Sequence, residues 1–254
     1  MLRNSIPGLD KLIESDPPKG TVIIVTGDAG TLKSSFVFYI LAIYLFRHPD
    51  ECGDYITVDE NRDSLIRMVH SLGMKVPPNL TIQDIASFRT SMKRDFETGV
   101  DSGIYFSQAQ HLMTMNIDSL KEKKGKKHDE SKNELKPSCY ALDSINGLLA
   151  IAPASQDGER QRSYESSLRK TIFEFLSVLR ENNAVNFLIF ETTGEQYRPE
   201  FFMADGIIEL GTTKYKDDIK RYIQIKKMKG VKHKLERYLI DATPNGLEVM
   251  GKII

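Results

Sequence analysis

The chain has 254 residues, two cysteines, and 35 basic side chains against 35 acidic ones, for a formal net charge of zero. That length accommodates one large core, and the balanced charge excludes a protein that coats nucleic acid by bulk attraction. Cys52 and Cys139 stand far apart and in no CxxC pair, which argues against a disulfide framework or a zinc cage; both are expected to be reduced, buried thiols in a cytoplasmic protein.

In chain order, the first six residues lack the apolar centre of a signal peptide, and the longest apolar run, 36–46, is too short to cross a bilayer. A soluble protein without membrane insertion is expected. Residues 21–26 form a β-branched run between Gly20 and Gly27, which predicts a buried strand, and 34–47, free of Gly and Pro, predicts a buried helix. A second strand over 54–58 leads through Asp59, Glu60 and Asn61 into an amphipathic helix over 62–71, closed by Gly73. Further strands are expected at 81–85, 139–143 and 185–190, with a strong helix pattern at 166–182. Strands alternating with helices imply a parallel sheet covered on both faces.

Residues 121–136 are almost all charged or polar and offer no apolar face, so they are expected to be a solvated, mobile insertion. After Pro199 the pattern changes to short alternating runs at 206–210, 221–225 and 237–241, which fit antiparallel hairpins on one edge of the sheet. The fold class is therefore α/β, a mostly parallel twisted central sheet flanked by helices with C-terminal antiparallel strands, and 1–254 reads as one domain.

A polyphosphate needs inward-facing backbone N–H groups and a cation, and a Gly-rich turn opening a helix supplies both. Gly27, Asp28, Ala29, Gly30, Thr31, Leu32, Lys33 and Ser34 match the spacing GxxxxGK[ST], except that Leu32 stands where the second glycine belongs. Lys33 is the candidate cation, Ser34 a magnesium ligand, and Thr31 and Ser35 line the loop. Asp143 ends an apolar strand and fits the acid that holds the magnesium water shell; a helix cap is the bland alternative. Asp59 and Glu60 are candidates to orient or deprotonate an attacking water, against the alternative of an acid pair favouring a helix N-terminus. Lys226 to Gly230 is rich in cations, either a solvated turn or a positive finger that reaches a phosphate on a neighbouring subunit.

With these segments in place, the chain resembles the KaiC-like branch of the RecA-superfamily ATPases, common as single-domain proteins in archaea. The likeness runs through Ile6, Pro7, Gly8 and Asp10, the P-loop, Tyr55 to Glu60, Ser71 to Met74, Leu142-Asp143-Ser144, Ala204 to Leu210 and Lys227-Met228-Lys229-Gly230. It implies a RecA-like fold, ATP and Mg2+ as ligands, and hexameric rings with nucleotide at subunit interfaces. Glu60 and Asp59 then correspond to paired catalytic glutamates, and Lys227 and Lys229 to residues that reach the neighbour's nucleotide. Three departures, Leu32 for Gly, Lys229 for Arg and Asp59 for Glu, imply slow hydrolysis more than lost binding. Three functions remain open: a slow ATPase acting as an oligomeric switch, a nucleotide-loaded regulator without turnover, and a recombinase-like DNA-binding ATPase supported only by the basic run at 121–127. No motif names the downstream protein partner.

Overall fold

The structure is a computed structural model that describes residues 1–85, 137–149, 158–192, 200–244 and 246–253. The segment 121–136, expected to be a solvated insertion and containing the basic run, lies outside the described residues.

At the centre is β1 (Val22–Gly27), whose six residues are all buried. Its β-branched run suits a strand with helices on both faces, where no position alternates out to water. β2 (Cys52–Thr57), β3 (Leu80–Asp84), β4 (Pro137–Asp143) and β5 (Val185–Glu191) follow, then β6 (Gly206–Tyr215), β7 (Asp218–Met228), β8 (Tyr238–Thr243) and β9 (Gly246–Lys252). The nine form one sheet in the order β3-β2-β4-β5-β1-β6-β7-β8-β9. β1 is flanked by β5 and β6, both parallel to it. From β6 onward the strands pair antiparallel, as expected of the runs after Pro199, and β6 joins this edge to the centre by also lying parallel to β1. β9 went unread in the sequence, although its buried Leu247 and Val249 alternate with exposed Glu248 and Met250.

α1 (Lys33–Arg47) covers one face of the sheet, and its Phe36, Phe38, Ile40 and Leu41 are fully buried. α2 (Arg62–Ser71) is opened by Asn61, whose side chain accepts from the Ser64 N–H at 2.8 Å. α3 (Ile145–Leu149) is a short turn after β4, and α4 (Gly158–Glu181) covers the opposite face. Ile172, Phe175, Leu176 and Leu179 of α4 pack against Val22, Ile24 and Leu188. Such burial stabilises by about 1.5–3 kcal/mol per side chain before ordering entropy, so Phe175→Ala alone would cost about 3–5 kcal/mol. α4 begins eight residues before the expected 166, because 158–165 are polar enough to carry no apolar period. A four-residue turn, α5 (Glu200–Met203), precedes β6. Neither cysteine forms a disulfide among the described residues; Cys139 is buried as expected, whereas Cys52 is only half-buried at the start of β2. No helix among the described residues is long and apolar enough to cross a membrane.

Candidate functional site

The loop from β1 to α1 is shaped by two close constraints. Gly27 has φ 146°, and a Cβ there would stand 1.8 Å from the Leu210 carbonyl oxygen of the adjacent β6. Only glycine fits against that strand. Thr31 Oγ1 donates to the Asp28 carbonyl at 2.8 Å and closes the loop. Leu32, at φ 68° and ψ 21°, is the residue before the helix and has no side-chain capping bond. A left-handed leucine costs about 1–2 kcal/mol, and its half-buried side chain recovers part of that by packing on the core. The backbone thus takes the conformation that the missing glycine would take freely. The first-turn N–H groups of α1 lack helical acceptors, which favours an anion at this helix end.

Beyond the loop opens a cleft of about 330 Å³, lined from Gly30 to Ser35 and by Asp59, Glu60, Met68, Asp143, Ser144 and Glu191. Gly27, Asp28 and Ala29 form the entry to the loop rather than this lining. Lys33 Nζ donates to the Asp28 carbonyl at 2.6 Å and lies 3.9 Å from Glu191 Oε1. Burial lowers its pKa, and the charges of Glu191, Asp143 and Asp28 offset part of that effect. Ser35 Oγ contacts Met68 Sδ at 3.3 Å, joining α1 to α2 along one wall.

Asp143, at the end of β4, accepts from the Tyr55 hydroxyl at 2.6 Å and from Ser34. Burial pushes its pKa up to about 6; those two hydrogen bonds pull down, and the charges of Asp59 and Glu60 push further up. The Ser34 hydroxyl and the Asp143 carboxylate therefore meet where an oxygen-seeking cation would find both, as their proposed magnesium role requires.

The neighbouring acids divide in a way the sequence left open. Asp59 Oδ2 accepts from the Ser144 N–H at 3.1 Å and its hydroxyl at 2.5 Å, and Ser144 Oγ in turn accepts from the Gly147 N–H at 3.1 Å. Asp59 thus braces the turn into α3. Glu60 has its carbonyl held by Thr57 Oγ1 at 2.6 Å, while no hydrogen bond or ion pair among the described residues engages its carboxylate. Glu191 is a site acid that sequence reasoning missed. The Asn146 side chain grips its peptide from both sides, at 2.8 and 2.7 Å, and fixes the end of β5 beside Lys33. The rule that singled out Asp143, an acid ending an apolar strand, applies equally to Glu191.

Lys227 and Lys229 lie elsewhere. Gly206 pairs with Ile23 at the start of β1 and with Met228 of β7, so this turn sits at the opposite end of the sheet from the P-loop, about 15 Å away along β1. There Lys229 Nζ is 3.2 Å from Asp205 Oδ1, and Lys227 Nζ donates to the Phe202 carbonyl at 3.2 Å. Neither enters the cleft of its own chain.

The sequence profile of the family described as "ATPase: KaiC" matches residues 2–253. The chain belongs to the KaiC ATPase family. A UPF0273 protein of Sulfurisphaera tokodaii is 23% identical over 255 residues, covering 98% of this chain and 81% of that one. The circadian clock oscillator protein KaiC of a Picosynechococcus is 21% identical over 98% of this chain but only 44% of its own length. The crystal structure of a KaiC-like protein from the archaeon Pyrococcus horikoshii superposes with a TM-score of 0.69 at 22% identity, over 97% and 96% of the two chains. The fold is accordingly the RecA type expected from the sequence, and membership in an ATPase family supports nucleotide binding at the family level.

Proposed function

We propose that this KaiC-family chain, acting as one domain, binds ATP with Mg2+ in the P-loop cleft and hydrolyses it slowly as an oligomeric regulatory switch. The observation that carries the reading is the convergence of Lys33, the Ser34–Asp143 pair and an uncommitted Glu60 carboxylate on one cleft. Lys33 and the first-turn N–H groups of α1 hold phosphate oxygens. Ser34 and Asp143 hold magnesium, which supplies neutralising charge at the phosphates when bound. Glu60 orients the attacking water and takes its proton, since Asp59 is already committed to Ser144. Lys227 and Lys229, at the far end of the sheet, act in a neighbour's cleft within a homo-hexamer. The two lysines exchange their present contacts for that neighbour's phosphates.

A second reading, nucleotide-dependent assembly with negligible turnover, is favoured by Leu32, a left-handed non-glycine residue in the loop that lines the cleft. Phosphate release measured alongside size-exclusion chromatography, with and without ATP and Mg2+, separates the two. The proposal expects release that vanishes in Lys33→Ala and falls by about 10²-fold in Glu60→Gln. Full activity in Glu60→Gln would remove Glu60 as the base. Assembly driven by ATP without phosphate release would establish the second reading.

A further inference from the structure

A second cleft, of about 300 Å³, opens between the N-terminal segment and α1, with Arg3, Ile6, Pro7, Asp10, Ile43 and Arg47 among its walls. The cleft runs along α1 from Tyr39 to Arg47, about 10–20 Å from Lys33 at the P-loop. Its size falls at the lower end of small-molecule sites.

The chemistry of its walls is specific. The Arg3 N–H donates to Asp16 Oδ1 at 2.7 Å, which holds the backbone in place, yet the Arg3 Nε is buried without a hydrogen-bond partner. A guanidinium cannot shed its charge, and a buried donor left unpaired costs about 1–3 kcal/mol. Arg47 donates from Nη1 to the Asn4 carbonyl at 2.8 Å, which spends one of its five N–H bonds and positions the rest. Ile6, Pro7 and Ile43 supply apolar wall between the two cations. The one acid among the lining residues, exposed Asp10, leaves the cleft with an excess positive charge. Planar guanidinium forks match the paired oxygens of phosphate and carboxylate groups.

We infer that this cleft binds a small molecule carrying a phosphate or carboxylate on an apolar body, its oxyanion held by Arg3 and Arg47. The site is independent of the P-loop and of any hydrolysis there. The side chains of Arg3 and Arg47 both line this cleft, and an oxyanion is the ligand whose charge and planar oxygen pair match them.

Isothermal titration of the full chain with phenyl phosphate and, separately, with benzoate tests the inference. Each is run with and without saturating ATP and Mg2+, so that phosphate bound in the P-loop is competed away while binding in this cleft persists. The expected result is competition-resistant binding of at least one probe, on the order of 1 mM or tighter, and the stronger probe tells phosphate from carboxylate. Arg3→Gln and Arg47→Gln are each expected to weaken it about tenfold or more, and Arg3→Lys severalfold, because the charge survives and the fork does not. Asp10→Asn, which leaves both arginines in place, is expected to tighten binding about twofold, and it carries the test if the arginine variants melt early. Absence of competition-resistant binding, or binding unchanged in Arg3→Gln and in Asp10→Asn, overturns the inference.

Discussion

At the end of the sheet where β1 runs into the phosphate loop, Asp143, Asp59, Glu60 and Glu191 line one cleft with a single lysine, Lys33. At the other end, Asp205 receives the Val22 N–H, Arg180 Nε and Lys229 Nζ, each at 3.2 Å. The pKa values record the contrast. Burial and neighbouring acids push Asp143 up to about 6. Burial also pushes Asp205 up, but the Val22 N–H, Lys229 and Arg180 outweigh it and hold the carboxyl below its ordinary 3.8. One end of the fold is built against its own charge and awaits cations; the other is already compensated.

The sharpest way to break this comparison is to neutralise each acid in turn. Asp143→Asn should abolish Mg2+-dependent phosphate release, by about 10²-fold or more, while raising the melting stability of the ligand-free protein by about 1–3 kcal/mol. That gain should vanish as the pH falls well below 3.8, where the carboxyl is protonated folded and unfolded alike. It should grow toward pH 6 and be complete above it, as thermal melts across that range would reveal. Asp205→Asn should do the reverse, lowering stability by about 1–3 kcal/mol at neutral pH with little effect on nucleotide binding to the isolated chain. Because the folded carboxyl of Asp205 titrates below its unfolded value, that loss should be full above pH 4 and shrink as acid protonates the folded wild type. Equal signs for the two variants would dissolve the contrast.

Smaller effects sharpen it. Glu191→Gln removes a half-exposed carboxylate that competes for Lys33, and nucleotide affinity by calorimetry should rise a few-fold. Leu32→Gly relieves about 1–2 kcal/mol of left-handed strain but surrenders packing and gains unfolded-state freedom, so the melting point should move by no more than about 1 kcal/mol equivalent. The visible change should be faster phosphate release.

The strand, loop and helix around Lys33 were legible because Gly20, Gly27 and Gly30 punctuate two apolar runs, and α2 was legible to the residue from its amphipathic period and the Gly73 that closes it. The left-handed turn at Leu32 was legible only as a misfit in a pattern. The separate fates of Asp59 and Glu60 were not legible, since what distinguishes them is Ser144, 85 residues further on. Glu191 was overlooked for a related reason: its clamp, Asn146, is 45 residues away in sequence and becomes visible only when β5 lies beside β4. Lys227 and Lys229 show the reverse, a motif clear in sequence whose distance from the P-loop only the sheet order sets.

The sheet order also dictates when the P-loop can exist during synthesis. β1 lies between β5 and β6, and the hydrogen bonds at its entry join residues 165 and 183 positions apart, Thr21 with Asn186 and Val22 with Asp205. A ribosome that has made the loop and α1 has therefore made no binding site, because both walls of β1 are still untranslated. A nucleotide bound as proposed would reward folding only after Leu210, whose carbonyl presses on Gly27, has left the exit tunnel. Until then the nascent chain must keep the most apolar strand of its sheet from other partners without help from its ligand.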